Sequence, residues 1–367
     1  MSLVVISFDG VKDLEFEKMA ENPKKYPNIA GFMSESQYIG NVFTTFVSNT
    51  YPIHSCISTG RHPKDHGIFS NLLGEEDGYD IWAQEAGLIK HETFYQAAAK
   101  KGLKVGSLAW PVSASANIKW NLPEVHLVKN QKRWQEQMRH GSPLFQTLAL
   151  MRHGKKMQGL KQPQLDDFMS SAAADLLNKK KPDLTMIHLL AYDDHCHAFG
   201  VSEEMDEARA SLDNSLGRIL AAAKDSTVIA FSDHGHLNVS ENINLHDICG
   251  SALYEQVGGS AFFAAPVENI ESQPWFGRFL TEHEMDVSGY KGRAAFGIGA
   301  KPGYSFGKKQ YKGNHGYPRD YDEYRVFIAV KNSKKGVDNL PFDDIRNVTA
   351  LIDRELDLGM DLGLVRK

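Results

Sequence analysis

Five short segments of this chain carry side chains whose types and spacing could do chemistry. They are Ser7-Phe8-Asp9-Gly10, Asn49-Thr50-Tyr51-Pro52, Asp193-Asp194-His195-Cys196-His197, Ser232-Asp233-His234-Gly235 and Asn314-His315-Gly316. Carboxylates mixed with imidazoles suit zinc or manganese better than an ion that prefers thiolates. Asp193 and His197 are spaced i, i+4, which puts both on one face of a helical turn. Asp233 and His234 are adjacent, and Gly235 permits the sharp turn that lets both reach one ion. One metal site is therefore expected from Asp193, His197 and His315, and a second from Asp9, Asp233 and His234 with the Thr50 hydroxyl. Each keeps the open position that catalysis requires. Asp194, His195 and His236 read as supporting or surface residues, and Cys196 as packing.

Thr50 precedes a helix-compatible run, Ile53 to Ser58, that stops at Thr59-Gly60. Pro52 fits the first turn of such a helix. Free N–H groups and the helix dipole favour an anion at that end. Taken alone, a hydroxyl here reads as a helix cap. Beside a metal it becomes a nucleophile, because coordination favours the alkoxide.

The elements that must position these groups are legible as alternating patterns. Leu3 to Phe8, Asp183 to Leu190, Ser226 to Phe231 and Tyr324 to Val330 are short apolar runs, the mark of strands buried on both faces. Leu103 to Trp110 reads as another strand. Helical periodicity runs over Met205 to Lys224, over His91 to Lys101 with Gly102 after its end, and over Phe342 to Leu358. This alternation predicts an α/β fold with a mostly parallel central sheet and helices on both faces. The whole chain, 1–367, is expected to be one catalytic domain. Two stretches, about 113–164 and 237–312, break the pattern and read as insertions that cap the site. Within the second, Gly297 to Gly303 loosely resembles a nucleotide-binding glycine motif, but its spacing is wrong and it reads as a loop.

Composition narrows the classes. The formal net charge is −5 and the basic residues are scattered, so there is no nucleic-acid stripe or polybasic membrane patch. Cys56, Cys196 and Cys249 form no CxxC pair, which argues against a disulfide framework and for a reducing compartment. No stretch approaches the roughly 18 apolar residues of a membrane span. A cytoplasmic location is the resulting expectation, and the oligomeric state is not legible.

Taken together and in order, the motifs resemble the type I phosphodiesterase/nucleotide pyrophosphatase family of the alkaline phosphatase superfamily. The resemblance rests on Asp9-Gly10, on Thr50-Tyr51-Pro52-Ile53-His54, and on a Thr-Gly-x-x-Pro-x-x-His-Gly-Ile segment at Thr59 to Ile68. It continues through Asp193 to His197, Ser232 to Gly235 and His315 to Tyr317. It implies an alkaline-phosphatase-like core, two zinc ions per chain (manganese as the alternative), and a small phosphodiester or nucleotide substrate. It also implies that Asn71 binds a phosphate oxygen. The implied reaction is a double displacement in which Thr50 attacks phosphorus and water then hydrolyses the phospho-threonine. Two alternatives use the same site: a phosphonate hydrolase, as in phosphonoacetate hydrolysis, or a phosphomonoesterase. Arylsulfatase chemistry is excluded because Thr cannot mature to formylglycine. Retention of all six ligand candidates and the nucleophile argues against a binding protein on a dead enzyme fold.

Overall fold

Continuous apolar runs bury both faces of a strand, and this chain places three of them side by side. The computed structural model describes residues 2–321, 324–337 and 343–362. Its centre is a seven-stranded sheet. In chain order the strands are β1 (Leu3–Phe8), β2 (Gln37–Val42), β3 (Val105–Leu108), β4 (Trp120–Leu122), β5 (Leu184–Leu189), β6 (Thr227–Ser232) and β7 (Val326–Lys331). Across the sheet the order is β2-β7-β6-β1-β5-β3-β4. From β6 to β4 all pairings are parallel, and β7 runs antiparallel to both β6 and β2. Alternate residues of β1 feed two cores. Val4, Ile6 and Phe8 pack on one face, and Leu3 and Val5 on the other. This is the α/β class that the alternating pattern predicts.

Register explains why the site forms where it does. Phe8 lies opposite Leu189 of β5 and Ser232 of β6. The C-terminal ends of the three central strands are therefore level, and Asp9 and Asp233 leave the sheet side by side. Chain connections run to opposite sides of β1, so the crevice over these ends is a topological switch point, the usual ligand position in open α/β sheets.

Several expectations shift in detail. The Thr50 helix begins at Thr50 itself and runs to Thr59, closing on Gly60 at φ 72°. The helix expected at His91 starts at Phe94, because Thr93 and Gln96 form a reciprocal capping box there. The C-terminal helix spans Asn347–Leu356, and Phe342 lies outside the described residues. Residues 113–164 are less irregular than their polarity suggests. They supply the edge strand β4 and two helices, Arg133–His140 and Pro143–His153. Residues 237–312 form most of two small sheets, one of four strands and one of three. The glycine-rich stretch in this region is not a loop: Phe296–Ala300 is a strand of the four-stranded sheet. Its glycines are there for packing. A Cβ on Gly297 would come within 2.6 Å of Leu280, and one on Gly299 within 2.5 Å of Pro318.

Candidate active site

The strand ends place Asp9, Asp233 and His234 in one buried group. Asp9 Oδ1 is 3.2 Å and Asp233 Oδ2 3.5 Å from His234 Nε2. Asp233 Oδ1 is held by the backbone N–H groups of His234 (2.8 Å) and Gly10 (3.1 Å). Asp9 Oδ1 and Asp233 Oδ2 are buried and accept no hydrogen bond. Two acceptors left bare in a dry pocket are costly unless a cation meets them.

Thr50 faces this group. Its Oγ1 is 3.3 Å from His234 Nε2. The capping reading fails on position: the N-cap is Asn49, and Thr50 is the first helical residue. The backbone N–H of Tyr51 donates to Asn71 Oδ1 at 2.9 Å, which brings Asn71 to the same helix end.

Asp193, His197 and His315 form a second group, joined by His236. Asp193 and His197 sit on the Ala191–Phe199 helix with Oδ2 and Nε2 3.5 Å apart. His236 Nε2 is 3.0 Å and His315 Nε2 3.9 Å from Asp193 Oδ1. The expected supporting or surface role of His236 is thus corrected: it is fully buried and turned into the cluster. Asp194 is exposed, while His195 is buried with Nδ1 on the Ala191 carbonyl, away from the group. Cys196 packs in the core.

The four histidines share one arrangement. His197, His234, His236 and His315 each direct Nδ1 at a backbone carbonyl, those of Gly313, Gly235, Gly10 and Ser48. A carbonyl only accepts, so Nδ1 carries a proton and Nε2 is the nitrogen left to meet an ion, which on His234 would take the place of a second proton. This is the support that metal-binding imidazoles need. Burial lowers the pKa of His236 and, more strongly, of His315, so both stay neutral donors. Burial also opposes a charge on His234, but Asp233 and Asp9 outweigh it and raise its pKa to about 10. Asp233 is pushed up to about 7 by burial and by the charge of Asp9. The carboxylate pair demands positive charge, as a proton or a cation. An all-oxygen-and-nitrogen donor set with orphaned acceptors and carbonyl-anchored imidazoles fits divalent ions.

Gly10 joins the two groups. At φ 75° it turns the chain after β1, and a Cβ there would lie 2.5 Å from the His236 ring. Only glycine admits both the turn and the ring. The His234 and His315 rings, one from each group, stack with centroids 4.1 Å apart.

Two further histidines converge here: His188, which no motif includes, and His54, which closes the Thr50 motif without an assigned role. His188, inside β5, donates Nδ1–H to the Ala109 carbonyl and faces Asp9 Oδ2 with Nε2 at 3.1 Å. Burial alone would lower its pKa, but Asp9 raises it to about 9. His54 lies 3.6 Å from Asp233 Oδ2. Both its ring nitrogens are engaged, with the Thr50 carbonyl and Ser7 Oγ, so it braces the Thr50 helix and has no lone pair for an ion. The signal for His188 was a lone imidazole in an otherwise apolar strand. For His236 it was a second His two residues beyond the first.

Trp110 and Tyr192 are core residues. Trp82 is half-buried. It stacks on His126 at 3.8 Å and lies 5.3 Å from Tyr51. Arg61 turns to Asp361 at 2.7 Å. Among the described residues, no helix is long and apolar enough to cross a membrane.

A sequence model described as type I phosphodiesterase / nucleotide pyrophosphatase matches residues 3–288. The chain is similar to bis(5'-adenosyl)-triphosphatase enpp4 of Xenopus laevis, 23% identical over 359 residues that cover 89% of this chain and 71% of that protein. It is also similar to human ectonucleotide pyrophosphatase/phosphodiesterase family member 1, 24% identical over 222 residues, 57% of this chain and only 21% of that longer protein. Among solved structures, murine ectonucleotide pyrophosphatase/phosphodiesterase 5 superposes with a TM-score of 0.67 at 16% identity, covering 97% of this chain and 95% of the other. Phosphonoacetate hydrolase from Sinorhizobium meliloti 1021 superposes at 0.71 with 15% identity, covering 97% and 96%. At these identities the structural likeness is one of fold.

Proposed function

Because the chain belongs to the type I phosphodiesterase / nucleotide pyrophosphatase family, we propose that it hydrolyses phosphodiester or phosphoanhydride bonds of small molecules with Thr50 as nucleophile. The observation that carries this reading is the placement of Thr50 Oγ1 at a helix N-terminus, 3.3 Å from His234 Nε2. Asp9, Asp233 and His234 would hold one divalent ion with the Thr50 oxygen. Asp193, His197 and His315, with His236, would hold the other; zinc suits the donors best, with manganese as the alternative. When bound, such a pair supplies Lewis-acid stabilisation of phosphoryl charge and makes oxygen nucleophiles available near neutral pH.

The chain's own residues do the rest. The Thr50 hydroxyl gives up its proton to solvent and forms a bond to phosphorus. The opposite P–O bond breaks, and its electron pair leaves with the departing group. Water then displaces Thr50 from the phospho-threonine and restores the hydroxyl. Asn71 has its Oδ1 fixed by the Tyr51 N–H, which leaves its Nδ2 to donate to a phosphate oxygen as charge builds. His188 and His54 hold Asp9 and the Thr50 helix in place. Residues 113–164 and 237–312 serve as the walls around the substrate.

The test is a rate comparison with zinc-loaded protein across bis-p-nitrophenyl phosphate, p-nitrophenyl phosphate, a dinucleoside polyphosphate and phosphonoacetate. The Xenopus relative's name describes the third of these substrate types. We expect kcat/KM to favour the diester over the monoester. A monoester brings one more negative charge, and Arg61, in the loop after the Thr50 helix, is paired with Asp361. A monoester rate equal to or above the diester rate would move the protein to the phosphatase branch. Dominant phosphonoacetate turnover would make it a C–P hydrolase.

A further inference from the structure

The helix Pro143–His153 turns a polar side chain inward and apolar ones outward. Its inner side buries Gln146 and faces a cavity of about 590 Å³ that opens beside Asp193. Leu144, Leu148 and Met151 follow one another at helix spacing on a different side. Leu144 and Met151 are 74% and 77% exposed, the two most exposed large apolar side chains among the described residues. Beside this stripe lies a second hollow, of about 320 Å³, lined by residues of this helix and of the helix Gln164–Lys180. Leu144, Phe145, Leu148 and Leu176 contribute to its lining, and so do Lys119, Arg152, Lys179 and Lys180. Asp175 is the one acidic lining residue, paired with Arg152 at 2.6 Å and with Lys179 at 2.5 Å. Lys155 and Lys156 follow the helix, and both are exposed. Residues 113–164 carry nine Lys and Arg against two Asp and Glu, in a chain whose formal net charge is −5. The expectation of no basic membrane patch is corrected here: basic residues scattered along the sequence are gathered by the fold around an exposed apolar stripe.

We propose that this face docks the protein on the surface of an anionic lipid bilayer, with Leu144 and Met151 entering the headgroup region and Lys119, Lys155, Lys156 and Lys180 meeting the lipid phosphates and carboxylates. The inference stands apart from the phosphodiesterase reading and assigns no substrate. Charge complementarity carries it, because basic groups flanking a Leu/Met stripe are what an anionic interface attracts. Nucleic acid fits this face less well. Aliphatic side chains standing three-quarters clear of the surface offer no hydrogen bond to phosphate and no ring for a base to stack on. A second copy also fits less well, since a two-fold pairing of this face would bring like charges together. The orientation is compatible with catalysis. Trp120 opens β4 and Lys180 precedes β5, so the face lies toward the N-terminal ends of these parallel strands, whereas Asp193 follows the C-terminal end of β5. Docking would leave the crevice open to water. Each Lys or Arg held near an anionic surface is worth about fivefold in partitioning.

Co-sedimentation of the full chain with phosphatidylcholine vesicles, with and without phosphatidylserine, tests this directly. Partitioning onto the serine-containing vesicles should be at least ~10-fold stronger, and should be lost near 1 M salt, where charges are screened beyond about 3 Å. Lys155→Ala/Lys156→Ala should weaken binding about 25-fold. Leu144→Ser/Met151→Ser should weaken it at least ~10-fold, by removing apolar contact without adding a charge for the lipid to repel. All four positions are exposed, so Tm should be unchanged in both variants, which checks that they fold. Equal binding to the two vesicle types, or binding to neither, would overturn the inference. So would a preference for serine-containing vesicles that survives both variants, since another face would then be responsible. Tighter binding to a single-stranded oligonucleotide than to either vesicle, abolished by the lysine variant, would make this a nucleic-acid face instead. A concentration-dependent dimer that dissociates in Leu144→Ser/Met151→Ser would show that a second copy covers the stripe, and would also overturn it. None of these outcomes depends on diester turnover, so the phosphodiesterase reading stands or falls separately.

Discussion

The two ligand groups meet at Gly10 but are built differently. Asp9, Asp233 and His234 stand on the ends of central parallel strands, and all three are buried. Their positions follow from strand register, and backbone N–H groups fix Asp233. Asp193, His197, His236 and His315 come from a helix and from segments flanking short strands, and the Asp193 and His197 side chains are 17% and 19% exposed. The first group is rigid scaffold with the Thr50 hydroxyl, the proposed nucleophile, beside it. The second borders the open cavity and offers four donors instead of three. Chemistry that must be aimed is placed on the sheet, and the group that must admit substrate and water is placed where the wall is open.

The largest effect should come from the first group's hydroxyl. Thr50→Ala should lower kcat at least ~10³-fold, because covalent catalysis would be lost. The fold and metal content should not change, since Asn49, not Thr50, is the N-cap. Turnover above a tenth of the original rate would show that Thr50 only begins a helix.

The second group should yield its ion in a graded way. Asp193 is its one anionic donor, so Asp193→Asn should leave about one zinc per chain by elemental analysis. His315→Ala leaves Asp193, His197 and His236, and so should weaken the second ion's affinity without abolishing binding. In the double variant His236→Ala/His315→Ala that ion should be gone. Equal retention in all three variants would mean these residues do not form a metal site. Losing two ions from any one of them would mean that the groups are not separable.

Asn71 tests the helix end between the groups. Asn71→Ala should reduce kcat/KM by about 2–4 kcal/mol in transition-state terms, with both ions retained. An unchanged kcat/KM would reduce Asn71 to a brace for the Tyr51 N–H.

The contrast also explains what the sequence could reveal. Asp9, Asp233 and His234 were legible because an apolar run ending in a polar pair is a local signal, and the register that levels three strand ends follows from parallel pairing. Asp193 and His197 were legible from helix spacing. His236 was not. Its role depends on Gly10, some two hundred residues away in sequence, leaving room for the ring. His188 was hidden for a related reason, since a polar residue inside a strand reveals its partner only when the neighbouring strand is known. The 113–164 segment misled because its helices expose Trp134, Leu144 and Met151 and bury Gln146, so apolar periodicity does not mark their inner faces, and β4 is only three residues long. The strand at Phe296–Ala300 was hidden by glycines that permit close packing and weaken strand propensity.

The smallest effect should come from the support beneath the second group. Asp166 is 2% exposed and accepts hydrogen bonds from the Leu190 and Ala191 N–H groups, at the start of the helix that carries Asp193 and His197. Burial raises its pKa from 3.8 to about 6, against the pull of those N–H groups. Between these values the folded protein binds a proton that the unfolded chain has released. Stability from this residue therefore falls as pH rises from about 4 to about 6, and is level above that. The full shift is worth at most ~3 kcal/mol, and relaxation of the buried site should reduce it to about 1–2 kcal/mol. Asp166→Asn removes the titration but leaves one N–H without its acceptor, so the variant should be less stable at pH 4. The measurement is the difference in Tm between wild type and Asp166→Asn across pH 4–7. The deficit of the variant should shrink through that window and then hold constant. A deficit that is flat from pH 4 to 7 would show that Asp166 stays ionised throughout, and that the helix bearing the second ligand group rests on a charged cap.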